Sequence, residues 1–162
     1  MKRILFVCSG NTCRSPLAEA IARQVLAGMG VSVASAGTSA MDGSPASRYS
    51  IEVAGEDGLD LNQHRSRMLD AGMVRDADLI VTMGVGHRQT VGALNADALE
   101  YTFLLTNFSD SHHGDIPDPI GGSLEVYRRT RRVIRECIES MAGHLPRLDG
   151  YKSGAREGKE GQ

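Results

Sequence analysis

Short apolar runs rich in branched residues recur along the chain, and between them lie stretches whose apolar residues return at every third or fourth position. Lys2 to Val7, Val31 to Ala36, Asp76 to Met83 and Glu100 to Leu105 read as strands. The intervening segments read as helices: one opened by Ser15 and Pro16 as cap and first helical position, with Leu17, Ile21 and Val25 spaced by four; one from Ser44 and Pro45 to about Glu56; one from about Gly86 to Leu94; and a last one from about Ser123 to Leu145. Strands that alternate with helices specify an α/β fold. The expectation is a single doubly wound domain with a four-stranded parallel sheet flanked by helices on both faces. Ligands in such sheets bind beyond the carboxyl ends of the strands, near the point where strand order reverses.

At 162 residues the chain holds one such domain, residues 1–148, with no room for a second catalytic unit. From about Asp149 the stretch "DGYKSGAREGKEGQ" is almost devoid of apolar residues and reads as a disordered tail. A net charge of −2 gives no reason to expect a nucleic-acid or membrane partner. The five arginines of "YRRTRRVIR", Tyr127 to Arg135, are read as the solvated face of the last helix, whose Tyr127, Ile134, Cys137, Ile138 and Met141 share the opposite, apolar face. The amino-terminal run turns polar too soon for a signal peptide and no run approaches a membrane span, so a cytoplasmic location is expected. Three cysteines make no disulfide framework; in a reducing compartment they are thiols whose reactivity is the question.

Cys8 falls at the end of the first strand and opens "CSGNTCRSP". Successive backbone N–H groups from Ser9 through Cys13, turning from a strand into a helix, form a nest for an anion, reinforced by the positive end of the helix dipole; a tetrahedral oxyanion fits it. Gly10 and Asn11 tolerate the positive φ that a tight nest needs. Arg14 can grip two oxygens with its planar fork, which lysine cannot do. A sulfur at the base of the nest feels the same positive field, which favours the nucleophilic thiolate, and Ser15 is placed to donate a hydrogen bond to it. A thiolate beneath a phosphoryl group implies in-line displacement through a phosphocysteine. A bare C-x5-R pattern is commonplace, and most instances are a buried cysteine near a surface arginine. The strand before it, Gly-Asn within it and Ser-Pro after it raise this one above that background, with phosphatase and reductase both open. The loop lacks the G-K-[ST] ending of a nucleotide P-loop.

The reaction also needs an acid for the leaving group and then a base for water. "DIPDPIGGS" offers Asp115 and Asp118, and Pro117 and Pro119 hold Asp118 rigidly. Read without a nucleophile elsewhere, the same segment is an ordinary turn before a helix.

Together "CSGNTCRSP", "SAGTSA", "LDLNQHRSRML", "DADLIVTM" and "DPIGG", in this order, resemble the low-molecular-weight protein tyrosine phosphatase family over nearly the whole chain. The resemblance implies Cys8 as nucleophile, Arg14 as phosphate clamp, Asp118 as general acid and base, and Ser15 as partner of the thiolate. It implies no cofactor or metal, phosphorylated proteins as substrates, and a hydrogen-bond network of Asn11, Ser39 and His64 holding the loop in shape. It also suggests that Cys13 forms a protective disulfide with Cys8 on oxidation; the plain alternative is a small side chain packed under the loop. Thr12 is similar to the protein arginine phosphatase branch, whereas tyrosine-directed members usually carry an isoleucine-like residue there. Met41, Ile120, Gly121 and Gly122 stand where tyrosine-directed members often place aromatic rings, although Ile120 also departs from the phenylalanine expected of the arginine branch. Phosphoarginine is therefore the expected substrate, with phosphotyrosine the alternative.

Thioredoxin-linked arsenate reductases share the fold and loop but need two further cysteines near the third strand, and none lies between Cys13 and Cys137. A non-catalytic phospho-binding module would have lost Cys8, Arg14 or Asp118, and all three are present. His112 and His113 beside Asp115 are a weak metal motif, read here as solvated.

Overall fold

A computed structural model describes residues 2–148; the expected tail lies outside them. Four parallel strands, β1 (Lys2–Cys8), β2 (Val31–Gly37), β3 (Leu79–Thr82) and β4 (Thr102–Leu104), form one sheet in the order β2-β1-β3-β4. Between them run α1 (Arg14–Val25), α2 (Arg48–Glu56), α3 (Ala71–Asp76) and α4 (Val85–Leu94), and α5 (Leu124–His144) follows β4. Strand order reverses at β1, so the crevice of the sheet opens at the carboxyl end of that strand, where Cys8 sits.

Alternation along β1 divides the core in two. Ile4, Phe6 and Cys8 face α1, α2 and α5 and pack with Leu17, Ile21, Val53, Ile134, Ile138 and Met141. Leu5 and Val7 face α3 and α4, with Val74, Ile80, Val91 and Tyr101. Each fully buried large side chain of this set contributes about 1.5–3 kcal/mol relative to exposure. Tyr127, Ile134, Cys137, Ile138 and Met141 all lie on the buried face of α5, as the periodicity predicts.

Four local expectations need correction. The second helix starts at Arg48, capped by Ser47 Oγ, which accepts from Ser50 N; the backbone of Ser44 is instead paired with Ser66. The first helix begins at Arg14, and Ser15 does not cap it because its hydroxyl is engaged with Cys8 and Asn11. The third strand is shortened to Leu79–Thr82 because Asp70 accepts from Met73 N at 2.8 Å and nucleates α3, too short to leave a periodic signal. The fourth strand is likewise cut to three residues by flanking 3₁₀ turns over Ala96–Tyr101 and Leu105–Phe108.

The arginine run is only partly a solvated face. Arg128 and Arg131 hold Glu56 at 2.7 and 2.8 Å, and Arg135 lies 3.4 Å from Asp57, tying α5 to the end of α2. Hydrogen bonds from Arg128, then Arg131, hold the Glu56 pKa down at about 2. A carboxyl depressed in the folded state stabilises above its unfolded pKa of about 4.3, and that stability is lost as pH falls towards the folded value. The denaturation midpoint of Glu56→Gln is therefore expected below that of wild type at pH 7, the gap closing between about pH 4.3 and 2. A gap independent of pH would contradict the ion-pair origin.

Candidate active site

The segment from Cys8 to Cys13 joins β1 to α1, and its shape follows from where its carbonyls go. Those of Cys8, Ser9 and Thr12 accept from Thr38, Ser39 and Ser47 N–H at 2.9, 2.9 and 2.8 Å. The Asn11 carbonyl lies 2.8 Å from His64 Nε2, which must therefore be the protonated ring nitrogen. In a trans peptide the carbonyl and the following N–H point opposite ways, so the N–H groups of Ser9, Gly10, Thr12 and Cys13 are turned inward. These four N–H groups are thereby left without the loop's own carbonyls as partners.

Asn11 is fully buried and is the non-glycine residue with a positive φ, 54°, among the described residues. Its side chain holds that conformation: Nδ2 donates to Ser15 Oγ at 2.8 Å and Ser35 Oγ at 3.0 Å, and Oδ1 accepts from Arg67 N at 2.9 Å. Gly10 does not share the positive φ expected of it. Ser39 is also corrected: it reaches the loop through its backbone, and the serine that meets Asn11 is Ser35, which in turn donates to Glu19. The end of β2 comes so close that a Cβ on Gly37 would lie 2.4 Å from the Ser9 carbonyl, so glycine is required there.

Cys8 Sγ lies 2.9 Å from Ser15 Oγ. Because Ser15 Oγ accepts from the Asn11 amide, its own hydrogen is free to point at the sulfur. Arg14 is 6% exposed; Nη1 donates to the Ile116 carbonyl at 2.8 Å, and Nη2 lies 3.4 Å from Ser9 Oγ and 3.5 Å from Asp118 Oδ2. Asp118 is exposed between its two prolines, its Oδ1 accepting from Ile120 N at 3.1 Å. Asp115 has a separate, structural role, since it accepts from Val85 N at 2.9 Å at the start of α4 and packs on Gly84, while Ile116 N donates to the Met83 carbonyl at 2.8 Å. These bonds fix the Asp118 loop over the end of β3.

Thr12 is half-buried at the rim of the loop, and Met41 and Ile120 are 77% and 69% exposed. Gly121 has φ 76°, and a Cβ on Gly122 would lie 2.9 Å from the Pro119 carbonyl, so this glycine pair is required by the turn itself. Cys13 is buried and free, 3.4 Å from both Ser47 Oγ and Tyr127 OH; burial, then the Cys13 contact, push the Tyr127 hydroxyl up to about 12. Cys137 is also buried, and burial raises its thiol. His112 pairs with Glu136, and no group of three potential metal ligands occurs among the described residues. His87 was not singled out by the sequence: its Nε2 lies 2.9 Å from Ser9 Oγ, although "VGHRQT" marks only a helix start.

A parallel four-stranded sheet with a cysteine, an inward-facing nest and an arginine at its crevice defines a cysteine-based phosphate-loop enzyme. The chain belongs to the low molecular weight phosphotyrosine protein phosphatase family, whose model matches residues 3–149. It is similar to a protein-arginine-phosphatase of Geobacillus stearothermophilus, 40% identical over 143 residues covering 88% of this chain and 95% of that protein. A probable low molecular weight protein-tyrosine-phosphatase, EpsP, of Ralstonia solanacearum is 35% identical over 148 residues, 91% of this chain and 97% of that protein. Among solved structures, the YwlE arginine phosphatase from Geobacillus stearothermophilus superposes with a TM-score of 0.84 at 38% identity, covering 94% of this chain and 97% of that one. An arginine phosphatase variant with a phosphorylated active-site serine superposes at 0.83 and 34% identity, covering 90% and 99%. No helix among the described residues is long and apolar enough to cross a membrane.

Proposed function

We propose that the chain is a protein phosphatase of the cytoplasm that removes phosphoryl groups from arginine side chains through a phosphocysteine on Cys8. The observation that carries this reading is the placement of Cys8 Sγ at the base of the nest, 2.9 Å from Ser15 Oγ, with the Arg14 guanidinium beside it and 3.5 Å from Asp118. The inward N–H groups and Arg14 neutralise the phosphoryl oxygens as the Cys8 thiolate attacks phosphorus in line. The bond from phosphorus to the guanidine nitrogen breaks, and Asp118 delivers a proton to that nitrogen. Asp118, now a carboxylate, then takes a proton from water as the water attacks the phosphocysteine, releasing inorganic phosphate and restoring the thiolate. Ser15 stabilises the thiolate as leaving group in this second step. The three free cysteines fit a reducing compartment.

Arginine is favoured by Thr12, whose hydroxyl at the rim can accept from a guanidinium or hold water, and by the absence of aromatic rings at Met41 and Ile120. The relatives named protein-arginine-phosphatase support the same choice. A phosphotyrosine reading draws on the family's description and on the Ralstonia relative. With matched peptides, kcat/KM is expected to be higher for phosphoarginine than for phosphotyrosine, and Thr12→Ile is expected to reverse the ranking. Equal or tyrosine-biased values in the wild type refute the arginine assignment while leaving the cysteine chemistry intact.

A further inference from the structure

His87 has no part in the chemistry above, yet it reaches the phosphate loop from α4, on the other face of the sheet from α1. Among the described residues, two buried side-chain nitrogen or oxygen atoms lack a hydrogen-bond partner: Arg14 Nε and His87 Nδ1. The side chains that carry them meet at one atom, Ser9 Oγ, which lies 2.9 Å from His87 Nε2 and 3.4 Å from Arg14 Nη2.

The position of the ring proton follows from this arrangement. Burial, then the charge of Arg14, lower the His87 pKa against the opposing carboxylates of Asp115 and Asp118, so the ring carries one N–H at neutral pH. On Nδ1 that hydrogen would be a buried donor with no acceptor, the rarer defect in folded proteins; on Nε2 it is satisfied by Ser9. A serine oxygen has two lone pairs and one hydrogen. Arg14 can only donate, and Nε2–H donates as well, so both lone pairs are occupied and the Ser9 hydrogen is left to find an acceptor. The carbonyls of Cys8, Ser9, Asn11 and Thr12 are engaged elsewhere, so the peptides that follow them offer the loop N–H donors. The acceptor that suits this hydrogen is an oxyanion in the nest.

We propose that His87 is a positioning residue, which by donating from Nε2 turns the Ser9 hydroxyl into the phosphate cradle and makes it a further donor to a bound phosphoryl oxygen. The proposal rests on the phosphatase reading of the nest. It assigns to Ser9 a side-chain role besides its peptide N–H, and it links α4 to the strength with which the loop holds a tetrahedral oxyanion.

The ring tautomer is read directly by ¹³C and ¹⁵N NMR of His87 in the wild-type protein. The Nε2–H form is expected at neutral pH, and an Nδ1–H ring overturns the proposal. The coupling is read by calorimetric binding of inorganic phosphate. Ser9→Ala and His87→Leu are each expected to weaken binding on the order of 10-fold, the double variant no more than either alone, because both remove one hydrogen bond to a charged group. His87→Gln, whose amide N–H reaches a similar point, is expected to recover most of the loss. Additive losses, or a glutamine variant as weak as leucine, overturn the proposal. Failure of the wild type to turn over phosphorylated substrates would overturn the phosphatase reading instead, and the tautomer would still decide His87.

Discussion

Cys8→Ser is expected to lower turnover of p-nitrophenyl phosphate by on the order of 10⁴-fold or more, while the wild type works undiminished in EDTA. The serine hydroxyl would still lie over Ser15 at the base of the nest, but an alcohol is far less available as an anion than a thiol, and the serine alkoxide is a poorer leaving group than a thiolate when water attacks its phosphoester in the second step. The inward peptide N–H groups and Arg14 remain, so inorganic phosphate should still bind. That combination separates a chemical role from a structural one: the variant binds and does not turn over. Activity that survives in Cys8→Ser, or that EDTA removes, contradicts the mechanism.

Arg14→Lys is expected to cost about 10³-fold in kcat/KM although the charge is conserved. The guanidinium is buried and uses its fork in three directions, to the Ile116 carbonyl, to Ser9 Oγ and towards Asp118, with Nε free for a phosphoryl oxygen. An ammonium is a point charge that cannot span these positions. It would also release the Asp118 loop, which Arg14 ties to the nest through Ile116. The loss should therefore appear in both kcat and KM with p-nitrophenyl phosphate. A lysine variant within about threefold of wild type would show that positive charge alone suffices, and the clamp geometry would have to be abandoned.

How much of this was legible in the sequence depended on distance along the chain. Cys8, Asn11, Arg14 and Ser15 lie within one strand-to-helix turn, so residue types and spacing alone point to an oxyanion site there, and the prolines around Asp118 mark the second loop. The doubly wound sheet was equally plain from the alternation of apolar runs. The supports of the loop were harder to place, because the register of the parallel sheet assembles them. "SAGTS" contains two serines, and only the pairing of Ser35 with Phe6 decides that Ser35, rather than Ser39, lies beside Asn11. His87 comes from a helix on the other face and leaves no mark in its own segment. The sequence marks Ser44 as the cap of the second helix, and the pairing of Ser44 with Ser66 takes it out of play and leaves the cap to Ser47. The Gly121–Gly122 pair, suggestive of substrate class in the sequence, is demanded by turn geometry alone, which shifts the weight of the substrate assignment onto Thr12.

The central claim is that Cys8 carries the phosphoryl group, and Asp118→Asn provides the most direct test of it. The p-nitrophenolate group leaves without an acid, whereas attack of water still needs the base, so the second step becomes slow relative to the first. Acid quenching of this variant during turnover of p-nitrophenyl phosphate, followed by peptide mapping, should find one phosphoryl group on Cys8. A phosphoryl group on any other residue, or steady release of phosphate with none on the protein, would contradict the account.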